Sequence, residues 1–175
     1  VKEIEKSLLD KEIDMAVHSM KDMPSYLPEG LKFAHSPRRE DPRDALIFRE
    51  GYKTLEDLPQ GAKIGTGSKR RKYQLLKHRP DLEIVPIRGN IETRIKKIET
   101  ENLDGVVLAA SGLRRAGLEE KIDYYIPTDI MLPAPAQGIL ALEIREDDKE
   151  TEKIIDSIKD DITKIQIDAE RGFLI

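Results

Sequence analysis

The chain has 175 residues, 38% hydrophobic and 37% charged, with a formal net charge of −4. That suits one ordinary domain or two small lobes with a modest core under a highly charged surface. Aromatics are 5%, Trp is absent and Cys is absent, which argues against a stacking platform for single-stranded nucleic acid and excludes a disulfide framework, a thiolate nucleophile and a Cys-based zinc site.

No apolar run approaches the ~20 residues of a membrane span. No secretory signal is visible at the start, and a cytoplasmic protein fits. The three histidines form no HExxH or similar set, so no metal site is expected. Charge is unevenly spread: residues 65–98 hold ten Lys/Arg against three Asp/Glu, a local +7, which leaves −11 elsewhere. A basic region in an acidic chain suggests a local anion site rather than a general polyanion binder.

In chain order, Val1–Glu12 reads as an amphipathic helix with Val1, Ile4, Leu8 and Leu9 on one face. It opens without a capping residue, which suggests that the chain begins within a longer protein. Ile13–His18 alternates as a strand, Ile13, Met15 and Val17 forming its apolar face. Ser19–Pro24 then leaves the sheet abruptly, since Pro24 restricts Met23. Lys21 and Asp22 sit side by side just past the strand, where open α/β sheets bind ligands. Taken alone, the pair reads equally as a solvated turn. His18 reads as a packed strand-end residue or as a cleft-lining one.

Leu31–His35 is a short strand. Ser36–Arg43 (SPRREDPR) reads as a linker or hinge, and Ala45–Phe48 as the strand beyond it. Thr54–Asp57 resembles a helix start with Thr54 as N-cap. A strand–turn–helix unit then occurs three times: Lys63-Ile64, Gly65–Ser68, Lys69–His78; then Glu83–Ile87, Arg88–Asn90, Ile91–Glu99; then Gly105–Ala109, Ala110–Gly112, Leu113–Leu118. This predicts a largely parallel sheet, and the apolar run VVLAA a strand covered on both faces. Tyr124–Pro127 reads as a strand, Leu132–Gly138 (LPAPAQG) as a second connection, Ile139–Ile144 as a buried strand and Thr151–Ile162 as a helix. Asp168–Ile175 reads as the first turns of another helix. Two connections predict two lobes, the chain leaving the first and returning to it.

Each repeat carries arginine near its turn: Arg70 and Arg71, Arg88 and Arg94, Arg114 and Arg115. Cations at helix starts oppose the dipole by ~0.3–1 kcal/mol each, so the pattern asks for a compensating anion. Arginine forks bind carboxylate or phosphate in two-pronged fashion. Gly65-Thr66-Gly67-Ser68 offers backbone N–H groups and two hydroxyls, but lacks the Gly-Lys-Ser/Thr ending of a Walker loop. Lys69, Lys72, Lys96 and Lys97 read as solvated helix faces.

Six stretches occur in order: HSMKDMP (His18–Pro24), REDPRDA (Arg39–Ala45), IGTGSKRR (Ile64–Arg71), RGNIETR (Arg88–Arg94), LAASGLRR (Leu108–Arg115) and LPAPAQG (Leu132–Gly138). Together, over essentially the whole chain, they closely resemble the porphobilinogen deaminase (hydroxymethylbilane synthase) family. The resemblance implies a transferase of tetrapyrrole and heme biosynthesis that joins four porphobilinogen molecules into hydroxymethylbilane with release of ammonia. It implies α/β lobes like those of type II periplasmic binding proteins, with the active site between them. Residues 1–36 and 139–157 would form domain 1, residues 44–132 domain 2, and residues 168–175 the start of a third α/β domain. A dipyrromethane cofactor, tethered in the family to a cysteine of that third domain, is implied, and its cysteine should follow shortly after Ile175.

Residue by residue, Asp22 matches the family's catalytic aspartate. Lys21, Ser19, Arg70, Arg71, Ser68, Thr66, Asn90 and Gln137 match groups that hold the cofactor. Arg88, Arg94 and Arg115 match groups that bind substrate acetate and propionate side chains. The segment preceding Val1 and the cysteine are missing, so this chain alone is expected to be inactive. Gly67 stands where many members have serine, which reads as a mild change. The expected partners are porphobilinogen and the growing pyrrole chain, with no nucleic acid and no membrane, for a monomer. The alternative reading is a non-catalytic two-lobed carboxylate-binding protein using the same arginines.

Overall fold

The computed structural model describes residues 1–174. In chain order the elements begin with α1 (Lys2–Leu9), β1 (Ala16–Ser19), β2 (Leu31–Phe33), β3 (Asp44–Phe48) and β4 (Lys63–Gly65). There follow α2 (Lys69–His78), β5 (Glu83–Val85), α3 (Ile91–Thr100), β6 (Gly105–Ala109), α4 (Ala110–Arg115) and β7 (Tyr124–Tyr125). The chain continues with β8 (Leu140–Arg145), α5 (Lys149–Ile155) and α6 (Asp161–Arg171). The described residues divide into two units: one runs from Val1 to Glu40 and resumes at Pro135, and the other is Asp41–Ala134.

The central unit is built on a five-stranded sheet in the order β5-β4-β6-β3-β7. The repeat expectation holds for β5, β4 and β6, which are parallel. The rest of the sheet differs: β3 pairs antiparallel with both β6 and β7, so the sheet is mixed. This register sets Asp44, the first residue of β3, opposite Ala109, the last of β6. The antiparallel strand thus carries a carboxylate to the edge where the three parallel strands end. Strand β6 is covered on both faces as expected: Val107 packs with Leu46, Ile64 and Leu75, while Val106 and Leu108 pack with Ile87, Ile98 and Leu113.

Ser68 caps α2 and Asn90 caps α3, each side chain accepting a first-turn backbone N–H, as these residue types do. Helix α4 starts at Ala110, three residues earlier than expected, and Gly117 (φ 68°) follows its end. Its small residues serve close packing rather than a turn: a Cβ on Gly112 would lie 3.3 Å from Ile91 Cδ1. No helix forms at 54–57. There the Asp57 carboxylate accepts the N–H groups of Lys53 and Thr54 at 2.9 and 2.8 Å, a local arrangement that competes with helix formation.

The other unit has a three-stranded antiparallel sheet in the order β1-β8-β2. The inward face of β1 is the reverse of the expected one. Ala16 is buried and Met15 and Val17 are exposed, Val17 to 54%. The reason is Glu143 on β8, which is 0% exposed and needs a donor. His18 supplies one across the strand pair, Nε2 lying 2.8 Å from Oε2. In α1, Leu8 packs with Ile13, Ala16 and Leu31, whereas Val1, Ile4 and Leu9 stay exposed.

The helix expected at 151–162 is broken into α5 and α6 by a 3-10 turn. Asp160 caps α6 by accepting from Thr163 N, and its own N–H donates to Ser36 O at 3.1 Å, so a tertiary bond interrupts the run. Residues 168–171 are accordingly the end of α6, not the beginning of a helix, and Gly172–Leu174 is a 3-10 turn. Ile175 lies outside the described residues.

Candidate functional site

In the central unit the sequence-predicted arginines differ in their surroundings. Arg70 and Arg71 both reach Asp44. Arg70 Nη1 lies 2.7 Å from Asp44 Oδ2 and donates to Leu132 O at 2.7 Å. Arg71 donates to Asp44 Oδ1 from Nε at 2.9 Å and to Val107 O at 3.1 Å. Asp44 thus supplies from within the chain one of the anions that these helix-start cations ask for, and one carboxylate against two guanidiniums leaves a net positive charge. Arg71 is buried, and burial pushes its pKa down, with Asp44 opposing and the charges of Arg70 and Arg94 adding to the fall.

The remaining cations are more accessible. Arg88 is exposed in the turn before α3, and Arg115 is exposed at the end of α4. Arg94 is half-buried, and its Nε donates to Gly89 O at 2.7 Å. Thr66 is buried and its Oγ1 accepts the Ser68 N–H at 3.2 Å, while Asn90 Oδ1 accepts Thr93 N at 2.8 Å. Both polar turns are thus partly occupied in shaping their own backbone. Gly67 is less replaceable than expected. A Cβ there would lie 2.6 Å from the Ile87 carbonyl oxygen, so a serine requires the backbone to shift.

In the other unit, β1 ends at Ser19 and passes into a 3-10 turn, Met20–Asp22. Met20 and Met23 are buried beneath it with Ala136, Ile139 and Ala141. Ser19 and Asp22 are exposed, and Lys21 is half-buried. Asp22 forms no ion pair among the described residues. Lys21 Nζ lies 3.1 Å from Oε1 of the buried Gln137. The turn therefore presents a carboxylate outward beside an ammonium held from below.

Sequence reasoning missed three contributors. Asp44 gave no periodic signal, and only the mixed topology brings it to the arginines. Arg39 was read as part of a linker, yet its Nε donates to Gln137 O at 2.9 Å and its backbone N–H to Thr163 Oγ1 at 2.8 Å. Glu143 lay inside an apolar strand. Its position among Leu142 and Ile144 was the available signal, because a carboxylate there needs a partner.

Among solved structures the chain is similar to the VFT2 domain of BvgS from Bordetella pertussis, with a TM-score of 0.53 and 17% identity over 97% of this chain and 73% of that one. It is also similar to the extracellular-binding protein YtmK of Bacillus subtilis, with a TM-score of 0.56 and 13% identity over 99% and 74%. At these identities the likeness shows the fold alone: α/β, of the two-lobed type II periplasmic-binding kind.

The family model described as "Porphobilinogen deaminase, dipyromethane cofactor binding domain" matches residues 1–153, and the chain belongs to that family. It is 69% identical to the porphobilinogen deaminase of Clostridioides difficile (strain 630) over 99% of this chain and 58% of that protein. It is 62% identical to that of Clostridium novyi (strain NT) over 99% and 59%. The chain thus spans somewhat over half the length of these relatives.

Proposed function

We propose that the protein to which this chain belongs is a porphobilinogen deaminase, a transferase that condenses four porphobilinogen molecules into hydroxymethylbilane and releases ammonia. The observation that carries this is the outward Asp22 on the turn after β1, beside Lys21, in a chain of that family. No relative named above supports the non-catalytic carboxylate-binding reading.

In this proposal the Asp22 carboxylate accepts pyrrole N–H groups and stabilises positive charge as ammonia departs. Its exposure leaves it open to a ligand. Lys21, Ser19, Arg70, Arg71, Ser68, Thr66, Asn90 and Gln137 hold the cofactor. Arg88, Arg94 and Arg115 take the acetate and propionate groups of substrate. Each pyrrole brings two carboxylates, and this donor set of guanidinium, ammonium and hydroxyl groups suits such a ligand. A bound dipyrromethane would supply the primer from which the pyrrole chain grows. The chain has no cysteine to carry a thioether, so by itself it is inactive. Residues 1–36 with 139–157, residues 44–132 and residues 168–175 are assigned to three successive domains in this reading. The whole enzyme works as a cytoplasmic monomer on small molecules, without nucleic acid or membrane. Among the described residues no helix is long and apolar enough to cross a membrane.

The test is Arg94→Ala in the complete enzyme, followed by mass spectrometry of the protein during turnover. Partly elongated species should accumulate in altered proportion, with ammonia release reduced. An unchanged distribution at wild-type ammonia release would remove Arg94 from the binding set.

A further inference from the structure

We infer that Arg171, at the end of α6, is a positioning residue for Asp22; this rests on the catalytic reading of Asp22 given above. The turn that carries Asp22 has little internal support. The turn is a three-residue 3-10 segment closed by a bond from Met23 N to Met20 O at 3.2 Å, and 3-10 geometry makes poor hydrogen bonds. The Asp22 carboxylate is exposed and forms no ion pair among the described residues. What holds the turn in place must come from around it.

Arg171 supplies that hold. Its Nη1 donates to Met20 O at 3.2 Å and to Met23 O at 3.4 Å, and its Nη2 to Pro24 O at 2.5 Å. These carbonyls flank Asp22 on both sides in sequence, so one planar fork straddles the turn. The guanidinium also lies 5.7 Å from the centre of the Phe33 ring on β2, a cation–π contact that adds to its hold. Its hydrogen bonds go to neutral carbonyls, so its contribution is directional rather than ionic. Lysine, a compact ammonium without the planar fork, cannot reproduce it.

The preceding residue holds the other side of the site. Glu170 accepts the Ala136 N–H at 2.6 Å and pairs with Arg39. Ala136 has φ 59°, a left-handed conformation that alanine adopts only under outside constraint. The next residue, Gln137, receives Lys21. Two consecutive residues of one helix therefore set the Lys21-Asp22 pair from both flanks. A shift of about 1 Å at such a carboxylate can cost about 100-fold in rate.

The experiment is a double-mutant cycle in the complete enzyme, combining Arg171→Gln with Asp22→Asn and reading kcat and KM for porphobilinogen. Arg171→Gln should lower kcat by roughly 10- to 100-fold with KM little changed, because the carboxylate-binding cations are untouched. In the Asp22→Asn background it should lower kcat hardly further, since both changes remove one contribution. Arg171→Lys should rescue little. If Arg171→Gln does not fold, the same cycle is run with Arg171→Lys. Effects that multiply, or wild-type kcat in the Arg171 variant, overturn the inference while leaving the role of Asp22 intact. Wild-type turnover of Asp22→Asn alone overturns the catalytic reading itself.

Discussion

Asp44 and Arg71 form a buried ion pair that joins the start of β3 to the start of α2: Asp44 is 0% exposed, Arg71 is 6% exposed, and Nε and Oδ1 are 2.9 Å apart. Arg70 shares the same carboxylate. Removing one member of such a pair strands the other charge in a low-dielectric setting, at a typical cost of about 3–5 kcal/mol. Asp44→Ala should lower stability by that amount in urea denaturation of the complete enzyme. A loss below about 1 kcal/mol would show that the arginines relax to solvent and that the pair holds little together.

The pairing of His18 with Glu143 gives a second stability prediction. Glu143 Oε1 is buried with no hydrogen-bond partner among the described residues, so His18 at Oε2 is its principal support. His18→Ala should cost about 1–3 kcal/mol, and the double change His18→Ala with Glu143→Leu should recover part of it. If the double variant is less stable than His18→Ala, the carboxylate has some other partner.

Gly65 is fixed by crowding. A Cβ there would lie 2.8 Å from Leu103 Cδ1, 3.0 Å from Ile87 Cδ1 and 3.1 Å from Val106 Cγ1. Gly65→Ala should destabilise by about 1–3 kcal/mol, as overpacking does. Thermal denaturation at unchanged midpoint would mean that these side-chain ends move aside freely.

The acid limb of stability follows from capping carboxylates. The backbone N–H of Thr151 lowers the pKa of Asp148, that of Thr163 lowers Asp160, and the Arg43 side chain lowers Asp41. A folded-state pKa below the unfolded value of about 3.9 gives stability that is fully present above about pH 5 and lost as pH falls through the folded value. The deficit of Asp160→Ala relative to wild type should be constant above about pH 5 and shrink towards pH 2. A deficit that grows on acidification would reverse the sign of this linkage.

Local chemistry made much of this legible in the sequence. The strand–turn–helix repeat announced α2 and α3, and the apolar run of β6 announced burial on both faces. The abrupt exit at Pro24 announced the turn carrying Asp22. What stayed hidden was non-local. The antiparallel entry of β3 cannot be read from hydrophobic period, and it decides that Arg70 and Arg71 meet Asp44. The face of β1 went against its apolar alternation because a partner strand holds Glu143. The bond from Asp160 N to Ser36 O splits one amphipathic run into α5 and α6. In the last two cases a polar group satisfied at long range outweighed a local pattern.

The most direct test of the central claim is ammonia release from porphobilinogen by the complete enzyme carrying Asp22→Asn, beside its circular dichroism spectrum and melting temperature. Asp22 is exposed and forms no ion pair among the described residues, so the fold and melting temperature should match wild type. Turnover should fall by at least about 100-fold, the scale of a lost charge-stabilising group. Ammonia release within a few-fold of wild type from the folded variant would contradict the account.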